Sequence, residues 1–199
     1  MELIRMAIVY PHLIACCVAV GLVLTSDVAM ITQLFSRTPE TPQHRSHLAT
    51  LQRTVSFALA VLWITGIAIV SLDASSKGLS YFLNPKLQAK IAIVTLLTIN
   101  GGLLHSAVLP ALQRAGSILH LSVGPRMLAV FAGVVSAVSW LYAAMLGIGR
   151  PLNWKYSLIE ILGAFPVLVI AGFVTMLALT AFAKSRNTAQ ERTAHDLAY

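Results

Sequence analysis

Residues 54–72 have the sequence TVSFALAVLWITGIAIVSL, and this stretch decides the fold class of the chain. It contains no charged side chain, and as a helix it would extend about 28 Å, close to the ~30 Å of hydrocarbon in a bilayer. Four further apolar blocks lie at about residues 8–35, 87–109, 127–148 and 158–183. The sequence therefore predicts an all-α integral membrane bundle of five transmembrane helices, with a short polar tail at residues 184–199.

The composition indicates lipid rather than water as the main solvent. Hydrophobic residues make up 57% of the chain and charged residues 11%, whereas soluble domains carry about 25% charged residues. The net charge of +7 does not predict nucleic-acid binding, because the basic residues lie between the apolar blocks rather than in one patch. The first block is too long for a cleavable signal peptide, so we expect a retained helix.

The basic residues also predict an orientation in the membrane. Eight of them follow the first, third and fifth blocks, and five lie on the other side. The positive-inside rule places the larger set in the cytoplasm. We therefore expect the N-terminus outside and the C-terminus inside, in a bacterial-type inner membrane, with the lipid bilayer as the main partner.

Ionisable residues inside the apolar blocks concentrate on the first and third. The first carries His12 and Asp27, and the third carries Lys90 and His105. Such residues are costly in hydrocarbon and commonly mark a functional site. Each pair is fifteen positions apart, so its members share roughly one helix face and lie about 22 Å apart along the axis. We expect two polar layers on facing helices, with His12 level with Lys90 and Asp27 level with His105.

Each of these residues has a functional and an ordinary interpretation. His12 is either a metal or haem ligand or a helix-start histidine among headgroups. Lys90 either pairs with a buried anion, such as a haem propionate, or extends its amine to the headgroups. Asp27 either relays protons or orders helix packing. His105 is either a second haem ligand or hydrogen-bonded to Asp27 or a backbone carbonyl. Glu160 on the fifth block is a further candidate.

The remaining histidines and a cysteine suggest other metal chemistry. His12 and Cys16 are four positions apart and could bind copper(I), although a small cysteine also packs well without metal. His12 and His105 differ in expected depth by about 20 Å, so one iron shared by both is not expected. An iron on His105 would need a loop histidine as its second ligand. The loop histidines are His44, His47 and His120.

These positions together resemble a known superfamily. Residues 12–15 are HLIA, residues 65–66 are TG, residues 85–94 are PKLQAKIAIV and residues 103–105 are LLH. Over residues 8–110 the chain resembles the small multi-helix membrane proteins that include the copper-resistance D-type proteins and the HemJ-type protoporphyrinogen oxidases. In that superfamily a first-helix His and a third-helix Lys followed by a His recur, and haem b is implicated in the HemJ type.

The resemblance implies a haem-b-associated membrane redox protein, related to protoporphyrinogen oxidation or electron transfer. His12 and His105 would then be metal ligands, Lys90 would pair with a haem carboxylate, and a membrane redox partner or a second copy would be expected. Asp27 would add proton transfer, making Asp27 and Lys90 the catalytic pair. The C-terminal Asn-Glu-Pro motif of the HemJ type is missing here.

Two other classes of function remain open on the sequence. The first is copper or small-solute transport, although the apolar stretch at residues 18–24 argues against a continuous wet path. The second is a non-catalytic subunit of a larger membrane complex. In that case the fourth block, which has no charged residue, would contact lipid or a partner.

Overall fold

The computed structural model of the chain describes residues 2–35, 42–115 and 118–196, with the backbone alone at 42–49, 150 and 187–196. It contains five helices long and apolar enough to cross a membrane. They are α1 (Glu2–Phe35), α2 (Pro42–Lys77), α3 (Pro85–Ala115), α4 (Val123–Ile148) and α5 (Leu158–Asp196). Short 3₁₀ helices lie at Leu79–Leu83, Ile118–His120 and Arg150–Leu152. The predicted all-α bundle of five membrane-spanning helices is confirmed, and the described residues include no strand.

Neighbouring helices run antiparallel, which defines two ends of the bundle. Arg5 and His12 of α1 contact Asp73 and Thr65 of α2 in reverse order. We call the end where α1 begins the His12 end, and the opposite one the His105 end. The connections at 78–84 and 149–157 both lie at the His12 end. This alternation brings residues from the start of α3 and the end of α4 close to His12.

The fourth helix lies at the centre of the bundle. It packs against α1, α3 and α5, and 44% of its most apolar stretch is buried, compared with 11–22% in the other helices. Ala132 and Ser139 are completely buried, and small residues of this kind let helix backbones approach closely. α4 is therefore the most buried of the five helices, although side chains such as Phe131 and Leu141 are exposed on its outer surface. The expectation that this block contacts lipid or a partner stays a prediction.

Small residues also bring α1 and α2 together. Ala15 and Ala19 of α1 pack against Ala58 of α2, and Leu97 of α3 and Trp140 of α4 complete this cluster. Without a hydrophobic difference between side chains and lipid, such close packing is a main source of helix association. The cluster joins α1, α2, α3 and α4 one to two helical turns along α1 from His12.

The third helix continues through Pro110 to Ala115, so the predicted end of this block at about residue 109 is wrong. Its Leu104–Val108 segment is a π-helical turn, and an α-helical segment then continues to Ala115. A proline has no N–H and its ring clashes with the carbonyl four residues earlier. The wider π turn just before Pro110 relieves that clash and keeps the helix continuous. His105 lies within this turn.

The fifth helix begins with a reciprocal cap that involves Glu160. The Ser157 backbone N–H donates to Glu160 Oε2 at 2.7 Å, and the Glu160 N–H donates to Ser157 Oγ at 3.3 Å. This arrangement is a capping box, which satisfies the free N–H groups at a helix start. Glu160 therefore starts α5 and is not part of the site described below.

Candidate functional site

His12 contacts Thr65 across the α1–α2 interface. His12 Nδ1 lies 2.8 Å from Thr65 Oγ1, which itself donates to the Val61 carbonyl at 2.6 Å. A hydroxyl has a single hydrogen, so Thr65 accepts the bond from His12 Nδ1–H. In the neutral imidazole, Nε2 is then left with a free lone pair. The contact with α2 thus sets both the ring orientation and the tautomer.

A glycine makes this contact possible. A Cβ atom added at Gly66 would lie 3.7 Å from His12 Cε1, so the imidazole already rests against the α2 backbone. A longer side chain at this position would push the ring away. Thr65 and Gly66, the TG pair at residues 65–66, therefore form the surface of α2 against which His12 packs.

Lys90 extends into the same region from α3. It acts electrostatically on both His12 and Cys16, and its Nζ lies 4.0 Å from the position of a Cβ on Gly147 of α4. Lys90 is partly buried, and among the described residues its amine has no hydrogen-bond or ion-pair partner. A cation removed from water without a partner is costly, so this amine is suited to bind an anion.

These residues form one polar cluster, the His12 site, made of His12, Cys16, Thr65, Gly66 and Lys90. The structure thus brings together His12 and Lys90, as their predicted depths require. Within residues 2–35, 42–115 and 118–196 no three His, Cys, Asp or Glu side chains are grouped to hold a metal ion. The site offers one imidazole nitrogen and one ammonium group, rather than a closed metal cage.

His105 has a different environment. Its Nδ1 donates to the Gly101 carbonyl at 2.8 Å, and its Nε2 lies 3.3 Å from Ser56 Oγ. The side chain is exposed on the outside of the bundle. Ser56 and Thr65 are nine positions apart on α2, which places them on opposite faces and about 14 Å apart along the axis. His12 and His105 are therefore separated by α2 and cannot be ligands of one iron.

The second expected polar layer is not formed. Asp27 makes no hydrogen bond with His105, and its Oδ2 is buried without a partner among the described residues. Along α1 it shares a face with Met30 and Leu34, which belong to an apolar cluster. α1 packs mainly on α2, and α3 packs mainly on α4. The expectation that α1 and α3 face each other along their whole length is therefore wrong.

Sequence analysis missed a charged cluster at the His12 end. Asp73, only 7% exposed, accepts from Arg5 Nε at 3.3 Å and from the Tyr81 hydroxyl at 3.1 Å. Lys77 Nζ lies 3.5 Å from Asp73 Oδ2, the oxygen that also accepts from Tyr81, and 4.8 Å from the Tyr81 ring centroid. Burial and the Asp73 charge raise the pKa of Tyr81. The four-residue spacing of Asp73 and Lys77 was a visible signal, but nothing in the sequence linked Arg5 to them.

Besides His12, the histidines with described side chains are His105 and His120, and neither takes part in the His12 site. His120 is exposed on a 3₁₀ turn at the His105 end. The side chains of His44 and His47 lie outside the described residues. The suggested pairing of His105 with a loop histidine therefore stays a prediction.

Comparison of the chain with protein families, with curated proteins and with solved structures finds no match. Its function is therefore inferred from the geometry of its own residues. What the structure establishes is a bundle of five helices long and apolar enough to cross a membrane, with the partly buried side chains of His12 and Lys90 in one region of it.

Proposed function

We propose that this protein binds haem b at the His12 site and acts as a membrane redox protein. The observation that carries the proposal is the free His12 Nε2 beside the unpartnered Lys90 amine. Haem b needs an imidazole for its iron, and its propionates pair favourably with a buried cation. Both requirements are met by adjacent residues at one level of the bundle.

The charge of the site favours haem over the copper alternative. Lys90 acts electrostatically on both potential copper ligands, His12 and Cys16. A positive charge close enough to interact with both ligands, in a medium of low dielectric constant, opposes the binding of a bare cation. Haem brings its own carboxylates, which compensate the ammonium group. An acidic tetrapyrrole substrate would gain from the same pairing, in keeping with protoporphyrinogen oxidation as the reaction.

Each residue then has a defined task. Thr65 holds His12 through Nδ1 and leaves Nε2 free for the iron, and Lys90 neutralises a carboxylate. Asp27 lies about 22 Å further along α1, so it does not touch the ligand. Its role in this proposal is to exchange protons near the His105 end. Electrons would pass to a membrane partner or a second copy.

The visible spectrum of the purified protein tests the proposal. The full chain, produced in haem-replete cells and purified in detergent, is expected to show a Soret band that His12→Ala abolishes. His105→Ala is the matched control, because His105 lies on the opposite face of α2 and its loss is expected to leave the band. A colourless wild-type preparation contradicts the proposal. Bound copper that disappears in Cys16→Ser would support the transport alternative instead.

We also propose that the His12 end faces the outside of a bacterial-type inner membrane. The excess of basic residues at the other end supports this orientation. Reporter fusions at the C-terminus test it: activity of a reporter that works only in the cytoplasm is expected. Activity of a reporter that works only outside the cytoplasm would reverse the assignment.

A further inference from the structure

The charged residues at the ends of the spans mark where the helices leave the hydrocarbon. In α2 the charge-free stretch at residues 54–72 ends at Asp73 and extends about 28 Å. In α4 the charge-free stretch at residues 127–148 ends at Ile148 and extends about 33 Å. Both lengths match the ~30 Å of hydrocarbon in a bilayer. Asp73 and Ile148 therefore lie near the boundary of the hydrocarbon at the His12 end.

The connection between α2 and α3 has a polar side toward the bundle and an apolar side away from it. The Tyr81 hydroxyl donates to Asp73 Oδ2 at 3.1 Å, which holds this 3₁₀ segment at the level of the boundary. Leu79 is 81% exposed, and Phe82 and Leu83 are exposed as well. Three large apolar side chains of one short segment therefore face away from the protein.

The connection between α4 and α5 is built in the same way. Leu152 packs against a buried cluster formed by α3, α4 and α5, and Asn153 Oδ1 accepts from Asn84 Nδ2 of the first connection at 3.4 Å. Trp154, which is 61% exposed, and Tyr156 face outward. Trp154 has a φ of 59°, a conformation that favours glycine or asparagine. The backbone turn therefore does not explain a tryptophan at this position.

The exposed side chains of the two connections suit the interface of the bilayer better than water. Large apolar side chains exposed together indicate contact with a membrane or with another protein. Tryptophan and tyrosine are enriched where headgroups meet hydrocarbon, because one end of each side chain is apolar and the other is polar. The flanking residues Ile148 and Ile159, which belong to the spans, are also exposed. The connections therefore continue the surface that these helices present to lipid.

We propose that both connections at the His12 end lie in the headgroup layer of the bilayer and bind phospholipid. The interfacial residues, whose side chains insert among the acyl chains next to the headgroups, are Leu79, Phe82, Leu83, Trp154 and Tyr156. The indole N–H of Trp154 has no hydrogen-bond partner among the described residues, and it donates to a carbonyl or phosphate oxygen of the lipid. The proposal uses no residue of the His12 site and stands or fails independently of haem binding.

Depth-dependent quenching of tryptophan fluorescence tests the proposal. The full chain is reconstituted in phosphatidylcholine vesicles whose acyl chains carry bromine either close to the headgroup or close to the chain end. The signal of Trp154 is the difference between the wild type and Trp154→Phe, a change at an exposed position outside the core. Bromine close to the headgroup is expected to quench this signal more strongly than bromine close to the chain end. Aqueous iodide is expected to quench it little.

Trp63 provides the matched control, because it lies in the middle of the charge-free stretch of α2 and its bond to Thr98 is exposed. The difference between the wild type and Trp63→Phe should show the reverse order, with stronger quenching by bromine close to the chain end. Leu83→Trp in the Trp154→Phe protein extends the test to the first connection, and it should reproduce the depth profile of Trp154.

Three outcomes overturn the proposal. Quenching of Trp154 by iodide but not by bromine would place its connection in water. Quenching by neither agent would show that another protein or a second copy covers it. Strongest quenching by bromine close to the chain end would place Trp154 deep in the hydrocarbon. The same three outcomes for Leu83→Trp would overturn the proposal for the first connection.

Discussion

The two histidines within the apolar blocks, His12 and His105, differ in burial and in their charged neighbours. Both bond a hydroxyl group on α2, His12 through Thr65 and His105 through Ser56. His12 is partly enclosed and has a lysine as neighbour, whereas His105 is exposed and bonded to its own helix. Helical periodicity places a residue on a face, but the helix that covers the face decides what the residue can do.

The largest expected effect comes from Lys90, the residue that distinguishes the two environments. Lys90→Met should weaken the binding of haem by about tenfold to a hundredfold, because a charge-assisted contact is lost. The same change should stabilise the ligand-free protein by about 1–3 kcal/mol, because an unpaired cation leaves a partly buried position. Haem titration and unfolding in mixed detergent micelles measure these two effects.

Lys90→Met is expected to weaken haem binding and yet to stabilise the ligand-free protein, and this combination makes the prediction specific. Lys90→Arg should restore much of the affinity, and Lys155→Met, which changes an exposed loop lysine, should alter neither quantity. If Lys90→Met lowers the stability of the ligand-free protein, the amine has a partner and the proposed anion site is wrong.

The next effect compares a glycine that contacts a neighbouring helix, Gly66, with one that does not, Gly102. Gly66→Leu should destabilise the protein by about 1–3 kcal/mol, because its side chain displaces His12 from the α2 backbone. Gly102→Leu should cause no loss, since nothing lies within 4 Å of its Cβ. Both variants gain similar helix propensity, so the difference in their free energies of unfolding isolates the packing at His12. Equal free energies of unfolding for Gly66→Leu and Gly102→Leu would show that His12 does not pack against Gly66.

The two hydroxyl partners of the histidines offer a subtler comparison. Thr65→Val removes the acceptor of His12 Nδ1–H within a helix interface and should cost about 1 kcal/mol. Ser56→Ala removes an exposed bond and should cost less than about 0.5 kcal/mol. Thermal unfolding of the ligand-free variants measures the two values. A larger loss in Ser56→Ala would contradict the assignment of His105 to the surface.

The last expected effect concerns the Asp73 cluster, whose basic side chains are largely exposed to solvent. Asp73→Ala should destabilise the ligand-free protein by about 1 kcal/mol or less, because Arg5 and Lys77 are 54% and 56% exposed and largely screened by solvent. Glu2→Ala is the control, since Glu2 is exposed at the start of α1 and takes no part in the cluster. High salt should reduce the difference between the wild type and Asp73→Ala. A difference that does not depend on salt would show that the cluster contributes through packing rather than charge.

Sequence analysis anticipated one part of the arrangement around His12 and missed others. The equal fifteen-residue spacings placed His12 and Lys90 at one depth, and the structure brings them together. The same argument failed for Asp27 and His105, because it assumed that α1 and α3 stay in contact along their length. Glu160 was singled out for its charge, yet its oxygen caps its own helix. Asp73 was overlooked because its partner Arg5 lies 68 positions away.

The amino-acid sequence by itself determined that this protein is a bundle of five membrane-spanning helices, because each apolar block must satisfy its backbone hydrogen bonds within one helix. It also determined which residues share a helix face, since that follows from the helical repeat. Only the tertiary structure decided which faces are covered. It made α4 the most buried of the five helices, placed His12 against Gly66, and left His105 on the surface. Those outcomes depend on contacts between distant helices, where the size of residues such as Gly66 and Ala132 sets how closely backbones can approach.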